Sequence, residues 1–478
     1  MKNNRRDFLR RAGVAGTALV AGVGQAQANN PQFSRVLGQR FNMQGYAAPK
    51  LDTVRIGIIG VGSRGSGTLR RLAGIEGVDI KAICDIVPER VNKSVKSIKK
   101  EFPQYNPQAY TGKEDWKRVC EREDIDLIYT ATPWNLHTPI VVYAMENDKH
   151  AFTELPVGIT VDNCWQVVET AERTKKHCYM EGSDCSDGIS AVVLNMVRKG
   201  FFGEVIHGEG AYIHDRVSDT QTRWVRDKQN NNWFGYRPWR LQENVNRNGN
   251  LYPVHGLGPV AQILGINSGD SMDYLVSVSS DDFTMKHKMA ELAEMDDYYK
   301  PYVGLDFRGN MNTTIIRTKL GKTIMLQHDI SSPRPNVRFN MISGTQGMFC
   351  QYPYPAIAMG HDWMPAEEFD SLVKANKPGI TSKFEAKVEA AKKVSKGRSY
   401  ERVTASDWRL IDCLRNGLPL DKSVYDAALW SAITPLSEWS VGRQGASVKV
   451  PDFTDSSWKT NKPGLDLSIN AGGNTRLL

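Results

Sequence analysis

The chain has 478 residues, 40% of them hydrophobic and 24% charged, which suggests two or three domains and excludes a disordered or collagen-like polymer. It contains no apolar run of about eighteen residues, so a multi-spanning membrane protein is excluded. Half of the formal charge of +8 comes from the first 28 residues, where Lys2, Arg5, Arg6, Arg10 and Arg11 face only Asp7, and the remaining bias is too weak to suggest a nucleic-acid partner.

Asn4-Arg5-Arg6-Asp7-Phe8-Leu9-Arg10 is a twin-arginine pattern, followed by a weakly apolar, glycine-rich run from Ala12 to Gly24 and a small-x-small site at Ala26-Gln27-Ala28. Residues 1–28 therefore read as a signal peptide for twin-arginine export, and the mature protein is expected in the periplasm or otherwise outside the cytoplasm. The run is too short to remain as a membrane anchor. Residues 29–50 are polar and read as a linker.

A nucleotide-binding pattern opens the mature chain. Val54–Ile59 is a β-branched run of the buried parallel-strand type, and Gly60-Val61-Gly62-Ser63-Arg64-Gly65 follows it directly, with a helix predicted from Ser66 to Leu72. In that context the first glycine allows a tight turn, the second lets the backbone approach a pyrophosphate, and the third lets helix and strand pack closely. The helix N-terminus then offers free N–H groups to the anion. A second strand, Val78–Cys84, ends in Asp85, placed to accept hydrogen bonds from a ribose hydroxyl and to repel a 2′-phosphate, so NAD is preferred over NADP.

The alternation continues. A helix is predicted over Trp116–Arg122, a strand over Ile125–Thr130, and a ligand-side loop over Thr132–His137, including Trp134. A helix over Pro139–Asn147, a strand over His150–Thr153 ending in Glu154, a helix over Val161–Thr174 and a strand over Cys178–Glu181 follow. This order predicts an α/β doubly wound parallel sheet, a Rossmann domain, over residues 51–182. Residues 183–440 change character. Ile206–Ile213 alternates, Met311–Leu320 and Lys322–His328 flank Gly321 as a hairpin, and Arg338–Ser343 and Met348–Tyr352 add strands. These predict an α+β substrate domain with a mostly antiparallel sheet, closed by helices over Val403–Asn416 and Val424–Trp439. Lys383–Arg398 reads as a solvated helical excursion, and 441–478 as a C-terminal tail.

Seven cysteines at irregular spacing, with no Cys-x-x-Cys, argue against a disulfide framework, and neither they nor the nine histidines show metal-ligand spacing, so no metal is expected.

A Rossmann domain followed by such a sheet resembles the glucose–fructose oxidoreductase and inositol dehydrogenase superfamily. Its ordinary dehydrogenases carry Glu-Lys-Pro after the fifth strand, whereas this chain has Glu154-Leu155-Pro156 and lacks the ammonium group. Together with Thr132-Pro133-Trp134, Ala211-Tyr212-Ile213-His214, the string Asn250-Leu251-Tyr252-Pro253-Val254-His255-Gly256-Leu257-Gly258-Pro259, and Ser332-Pro333-Arg334-Pro335, this is similar to glycoside hydrolase family 109, the NAD-dependent α-N-acetylgalactosaminidases. Two positions depart from that family. Cys185 or Ser186 stands where a tyrosine usually follows the Met-Glu of the strand, and Asn336 stands where a tyrosine follows Pro-Arg-Pro.

The resemblance implies a redox-neutral hydrolysis. NAD+ takes hydride from the sugar C3, the ketone acidifies the C2 hydrogen, the glycosidic oxygen leaves from C1, water adds, and the hydride is returned. His255 is the first choice for the base at the C3 hydroxyl, with a histidine satisfying loop backbone as the plain alternative. Tyr252 is read as a hydrogen-bond donor or acid at the sugar, or else as a packing aromatic. Gly60, Gly62, Ser63, Arg64, Gly65, Asp85, Thr132, Trp134, His137 and Glu154 are the expected cofactor residues, and Glu154 can also be purely structural. Cys185, His214, Arg334 and Asn336 are expected on the substrate side, with His214 read rather as a core histidine or one behind the site. Free NAD is scarce outside the cytoplasm, so an exported catalyst that returns its own hydride fits best. The alternatives are a periplasmic sugar oxidoreductase of the 3-dehydrogenase type and a non-catalytic sugar-binding descendant. The expected partner is a small sugar or glycoside, and pairing of the open sheet into a homodimer is a further expectation.

Overall fold

The computed structural model describes residues 38–186, 188–217, 238–394 and 403–478. The predicted signal peptide and the start of the predicted linker lie outside the described residues.

The N-terminal half alternates strand and helix: β1 (Val54–Ile59), α1 (Ser63–Ala73), β2 (Val78–Cys84), α2 (Pro88–Glu101), β3 (Gln108–Tyr110), α3 (Asp115–Cys120), β4 (Leu127–Thr130), α4 (Trp134–Glu146), β5 (His150–Thr153), α5 (Val161–Thr174) and β6 (Cys178–Met180). All six strands run parallel in the order β3-β2-β1-β4-β5-β6. The order reverses at β1, so the ligand crevice opens at the carboxyl ends of β1 and β4. The strands are buried on both faces, and that is why β1 and β4 read as continuous apolar runs rather than as alternation.

The chain then builds α6 (Gly188–Arg198), β7 (Val205–Ile213), α7 (Pro238–Asn246), α8 (Pro253–Ile263), β8 (Met272–Ser279), α9 (Met285–Met295), β9 (Asn312–Thr318), β10 (Thr323–Asp329), β11 (Val337–Gly344), β12 (Gly347–Cys350), β13 (Ala356–Met359) and β14 (Asp362–Trp363). After α10 (Ala366–Ala375), α11 (Gly379–Val394), α12 (Ala405–Asn416) and α13 (Val424–Val441) comes β15 (Val448–Lys449). The second sheet has nine strands, β14-β13-β12-β11-β7-β10-β9-β8-β15, antiparallel except where β7 pairs with β10. The hairpin predicted at Gly321 is β9–β10, and Gly321 takes φ +92° there.

One hydrophobic core runs through both sheets. Helix α13 sits between α5 of the first layer and β8 of the second, with Trp430 at 1% exposure, and α12 returns to pack on α1 and β1. The C-terminal helices thus tie the substrate half to the nucleotide half. The stretch expected to be a linker is docked over its described part: the Met43 N–H donates to the Tyr425 hydroxyl (3.0 Å) and the Arg40 N–H to Glu172 Oε2 (3.1 Å). The tail after residue 440 is equally engaged, since β15 extends the second sheet and Leu477 forms a β-bridge to Ile75 beside the Arg476–Glu76 ion pair (2.6 Å).

Candidate active site

The glycine loop has three glycines with three different constraints. Gly60 holds φ +85°, and a Cβ there would lie 2.9 Å from the Ala131 carbonyl. A Cβ on Gly65 would lie 1.8 Å from the Gly60 carbonyl oxygen, so loop and helix touch backbone to backbone. Gly62 differs: a Cβ would meet only the end of Arg90, 3.8 Å away. Its missing side chain therefore serves an approach from outside. Gly62 is also the N-cap of α1, with no side-chain cap and no acidic residue in the first turn, so the helix start at Ser63 and Arg64 is open to an anion.

Asp85 ends β2 at 8% exposure. Its Oδ2 accepts the Val61 N–H (2.9 Å) and its Oδ1 the Val87 N–H (3.0 Å), so the carboxylate shapes the glycine loop and each oxygen keeps a lone pair for a ribose hydroxyl. Arg90 Nη1 lies 3.8 Å from Oδ1. Thr132, half-buried after β4, pairs its Oγ1 with that of Thr130 (3.0 Å). Glu154, after β5, has Oε1 3.4 Å from Arg64 Nε and 3.3 Å from the Tyr129 hydroxyl, which joins the first strand-loop to the fifth. These residues fit a dinucleotide: an anion cradle without side chains, a carboxylate for the ribose and a second carboxylate at the far end of the crevice.

His137 does not face the crevice. It is 1% exposed within α4, with Nδ1 2.7 Å from the Pro156 carbonyl and Nε2 2.9 Å from the Thr132 carbonyl. Burial lowers its pKa, and a neutral ring donates to only one of the two carbonyls. It links the Thr132 and Pro156 loops from inside α4, so its contact with those loops is through their backbone carbonyls.

Over the crevice lies the start of α8. Gly256 and Gly210 let this helix rest on β7 without side chains between them, since a Cβ on Gly256 would come 2.3 Å from the Ala211 nitrogen. The preceding turn is tied to two elements: the Asn250 N–H donates to Ser437 Oγ (2.9 Å) and the Leu251 N–H to His328 Nδ1 (3.3 Å). Tyr252 and His255 are thereby stacked with Tyr212. The His255 and Tyr212 rings are 4.8 Å apart at 29°, and those of Tyr252 and Tyr212 are 5.0 Å apart. Trp134, the first residue of α4, touches Tyr252 at 5.3 Å and brings the nucleotide half against this stack.

The His255 ring contacts Ser183 Oγ through Nδ1 (3.2 Å). Burial, then the charges of Arg338, Arg64 and Arg240, hold its pKa well below the ordinary histidine value, so the imidazole is neutral and able to accept a proton. The Arg338 guanidinium lies 4.6 Å over Tyr212, and that of Arg240 5.3 Å over Tyr252.

The structure brings His255, Tyr252, Trp134, Arg64 and Glu154 together. It does not bring Cys185 with them: that side chain is fully buried, its thiol donating to the Pro259 carbonyl (3.5 Å) behind α8, and Ser183 reaches His255 instead. Nor does the position of the missing tyrosine leave Asn336 lining the stack. Asn336 is exposed, and Arg338, two residues on, lies over Tyr212. Arg334 is half-buried, with its carbonyl accepting the Asp215 N–H (3.3 Å). His214 follows β7, its N–H on the Asp329 carbonyl and its ring 6.2 Å from Tyr212, beside the stack rather than in it. Sequence reasoning passed over Ser183, Arg240, Arg338 and the fully buried His328, whose ring lies 5.5 Å from Tyr252. The alternation of β11 was the available signal for Arg338.

The fold and the residues at the strand ends define a dinucleotide-binding oxidoreductase scaffold that carries a cluster of aromatic and cationic side chains. Residues 54–182 match the oxidoreductase family with an NAD-binding Rossmann fold, and residues 189–460 match the C-terminal domain of glycosyl hydrolase 109. The chain is 39% identical to a glycosyl hydrolase family 109 protein of Shewanella pealeana, over 97% of this chain and 99% of that one. It is 41% identical to an alpha-N-acetylgalactosaminidase of Bacteroides fragilis, over 87% of this chain and 95% of that one. Among solved structures, myo-inositol dehydrogenase from Lactobacillus casei shares the fold at a TM-score of 0.54 and 15% identity, over 84% of this chain and 99% of that one. The chain belongs to glycosyl hydrolase family 109, and its cofactor is NAD.

Proposed function

We propose that the protein is an exported glycosidase that releases α-linked N-acetylgalactosamine by oxidation, elimination, water addition and reduction at one sugar ring. When bound at the Gly60–Gly65 loop and Asp85, NAD would supply a hydride acceptor for the sugar. The observation that carries the reading is the placement of His255, stacked with Tyr212 and Tyr252 and touching Ser183 Oγ, where burial and the charges of Arg338, Arg64 and Arg240 favour its neutral form. A neutral imidazole there takes the proton of the C3 hydroxyl. The aromatic stack offers apolar surface to a sugar face, and Tyr252 offers a hydroxyl to its rim. Glu154 holds Arg64 at the crevice end. The residue after Glu154 is the buried Leu155, so no ammonium group stands where an ordinary dehydrogenase of this fold uses one.

The relatives named above support the sugar, and the order of arginine pair, weakly apolar run and small-x-small site supports export. Purified holoenzyme is expected to release free N-acetylgalactosamine from an α-linked chromogenic glycoside with no added NAD and no accumulation of reduced cofactor. Oxidation of the free sugar that requires an added acceptor, with no glycoside cleavage, would select the oxidoreductase alternative. Export is checked by N-terminal sequencing of the protein from a periplasmic extract, with a start near Asn29 expected.

A further inference from the structure

If His255 acts as a base, its tautomer decides which ring nitrogen is basic. A base at Nε2 needs its ring proton on Nδ1, whereas a histidine side chain in water carries it mainly on Nε2. Which nitrogen is protonated is set by the hydrogen bond made at the other one. At Nδ1 the partner is Ser183 Oγ, at 3.2 Å.

That contact is clamped from both sides. Gly258 of α8 lets the Ser183 carbonyl approach so closely that a Cβ would sit 1.9 Å from it. The Cys185 N–H donates to Gln262 Oε1 of the same helix (2.7 Å). The Asp184 carboxylate is paired with Lys422 (2.5 Å), just ahead of α13, and accepts from Ser406 Oγ (3.2 Å). A backbone contact and a hydrogen bond thus hold the turn carrying Ser183 against the helix carrying His255. A serine hydroxyl can accept while turning its own proton elsewhere, and the guanidinium groups of Arg64, Arg240 and Arg338 that act on the ring are donors only.

We propose that Ser183 is a positioning residue that fixes the tautomer of His255: its Oγ accepts the Nδ1 proton and leaves Nε2 as the basic nitrogen. The inference rests on the proposed role of His255 and is tested separately from it. The holoenzyme labelled with 15N-histidine, without substrate, reports the tautomer by the nitrogen shifts of His255, assigned against His255→Gln. The wild type is expected to show Nδ1–H, and Ser183→Ala to move to Nε2–H, with kcat falling about tenfold and KM within about twofold. Ser183→Thr, which keeps the hydroxyl, is expected to retain the wild-type tautomer and most of kcat. An Nε2–H ring in the wild type, or an unchanged ring in Ser183→Ala, overturns the proposal. Should the wild-type ring be Nδ1–H in a protein without glycosidase activity, the functional reading fails and the tautomer assignment stands.

Discussion

The glycine loop offers a sharp separation between folding and cofactor binding. In Gly65→Ala the new methyl would start 1.8 Å from the Gly60 carbonyl oxygen, so strand β1 and helix α1 must part by more than an ångström. Ordinary overpacking costs about 1–3 kcal/mol, and a backbone-to-backbone clash at the centre of a parallel sheet belongs at or above the top of that range. Gly62→Ala adds a methyl whose nearest protein neighbour is 3.8 Å away, at a position with φ −66° that any residue adopts. Its cost to folding is the modest one of alanine at an N-cap, about 1 kcal/mol or less. The same methyl points into the cradle where the pyrophosphate must lie. Displacing the phosphates from two N–H donors forfeits about 3 kcal/mol, roughly a hundredfold in Kd. Thermal melting and NAD titration by calorimetry should therefore diverge. Gly65→Ala lowers Tm strongly, and Gly62→Ala melts close to wild type while binding NAD about a hundredfold more weakly. Wild-type NAD affinity in a folded Gly62→Ala protein would refute the assignment of this loop.

Three further outcomes follow from single side chains. Burial raises the Glu181 carboxyl pKa to about 8, so the folded state holds a proton that the unfolded chain releases near 4.5. Stability therefore declines as pH rises from about 5 to about 8, and Glu181→Gln should abolish that decline, read from urea midpoints at both ends of the window; parallel curves for the two proteins would contradict it. Arg338 is one of the charges that depress the His255 pKa, so in Arg338→Gln the acid limb of kcat/KM should move to higher pH while the plateau above it keeps its position. An unmoved limb would mean that another group governs it. Asp85→Ser removes the carboxylate that repels a 2′-phosphate and leaves Arg90 beside it, so the preference for NAD over NADP should fall by about tenfold or more, measured as a ratio of dissociation constants.

The nucleotide half was largely legible because buried parallel strands write themselves as β-branched runs and the glycine loop has a steric signature. β1 and β2 are observed over the predicted residues, and Asp85 ends β2 as expected. The helix α2 and the short edge strand β3 were not read. The second half was less legible because its local signals conflict with its packing. Helix α8 contains Gly256, Gly258 and Pro259, which disfavour a helix, and none was expected there. Those glycines are there because β7 and the Ser183 carbonyl come too close for any side chain. The differences at the site have the same origin. Counting from the Met180-Glu181 strand end selects Cys185, but the turn at Gly182 presents Ser183 to His255 and buries Cys185 behind the helix. His137 has the composition of a loop ligand and instead holds two loops together from inside α4.

In the proposed reaction the hydride taken from the sugar is given back to the same molecule. The most direct measurement is one turnover set in ordinary water with an α-N-acetylgalactosaminide deuterated at C2 and C3, followed by mass and NMR analysis of the released sugar. The account predicts that the C3 deuterium is retained and the C2 deuterium is replaced by hydrogen. Retention of deuterium at C2, or release of a C3 ketone with an equivalent of deuterated, reduced NAD, would contradict it.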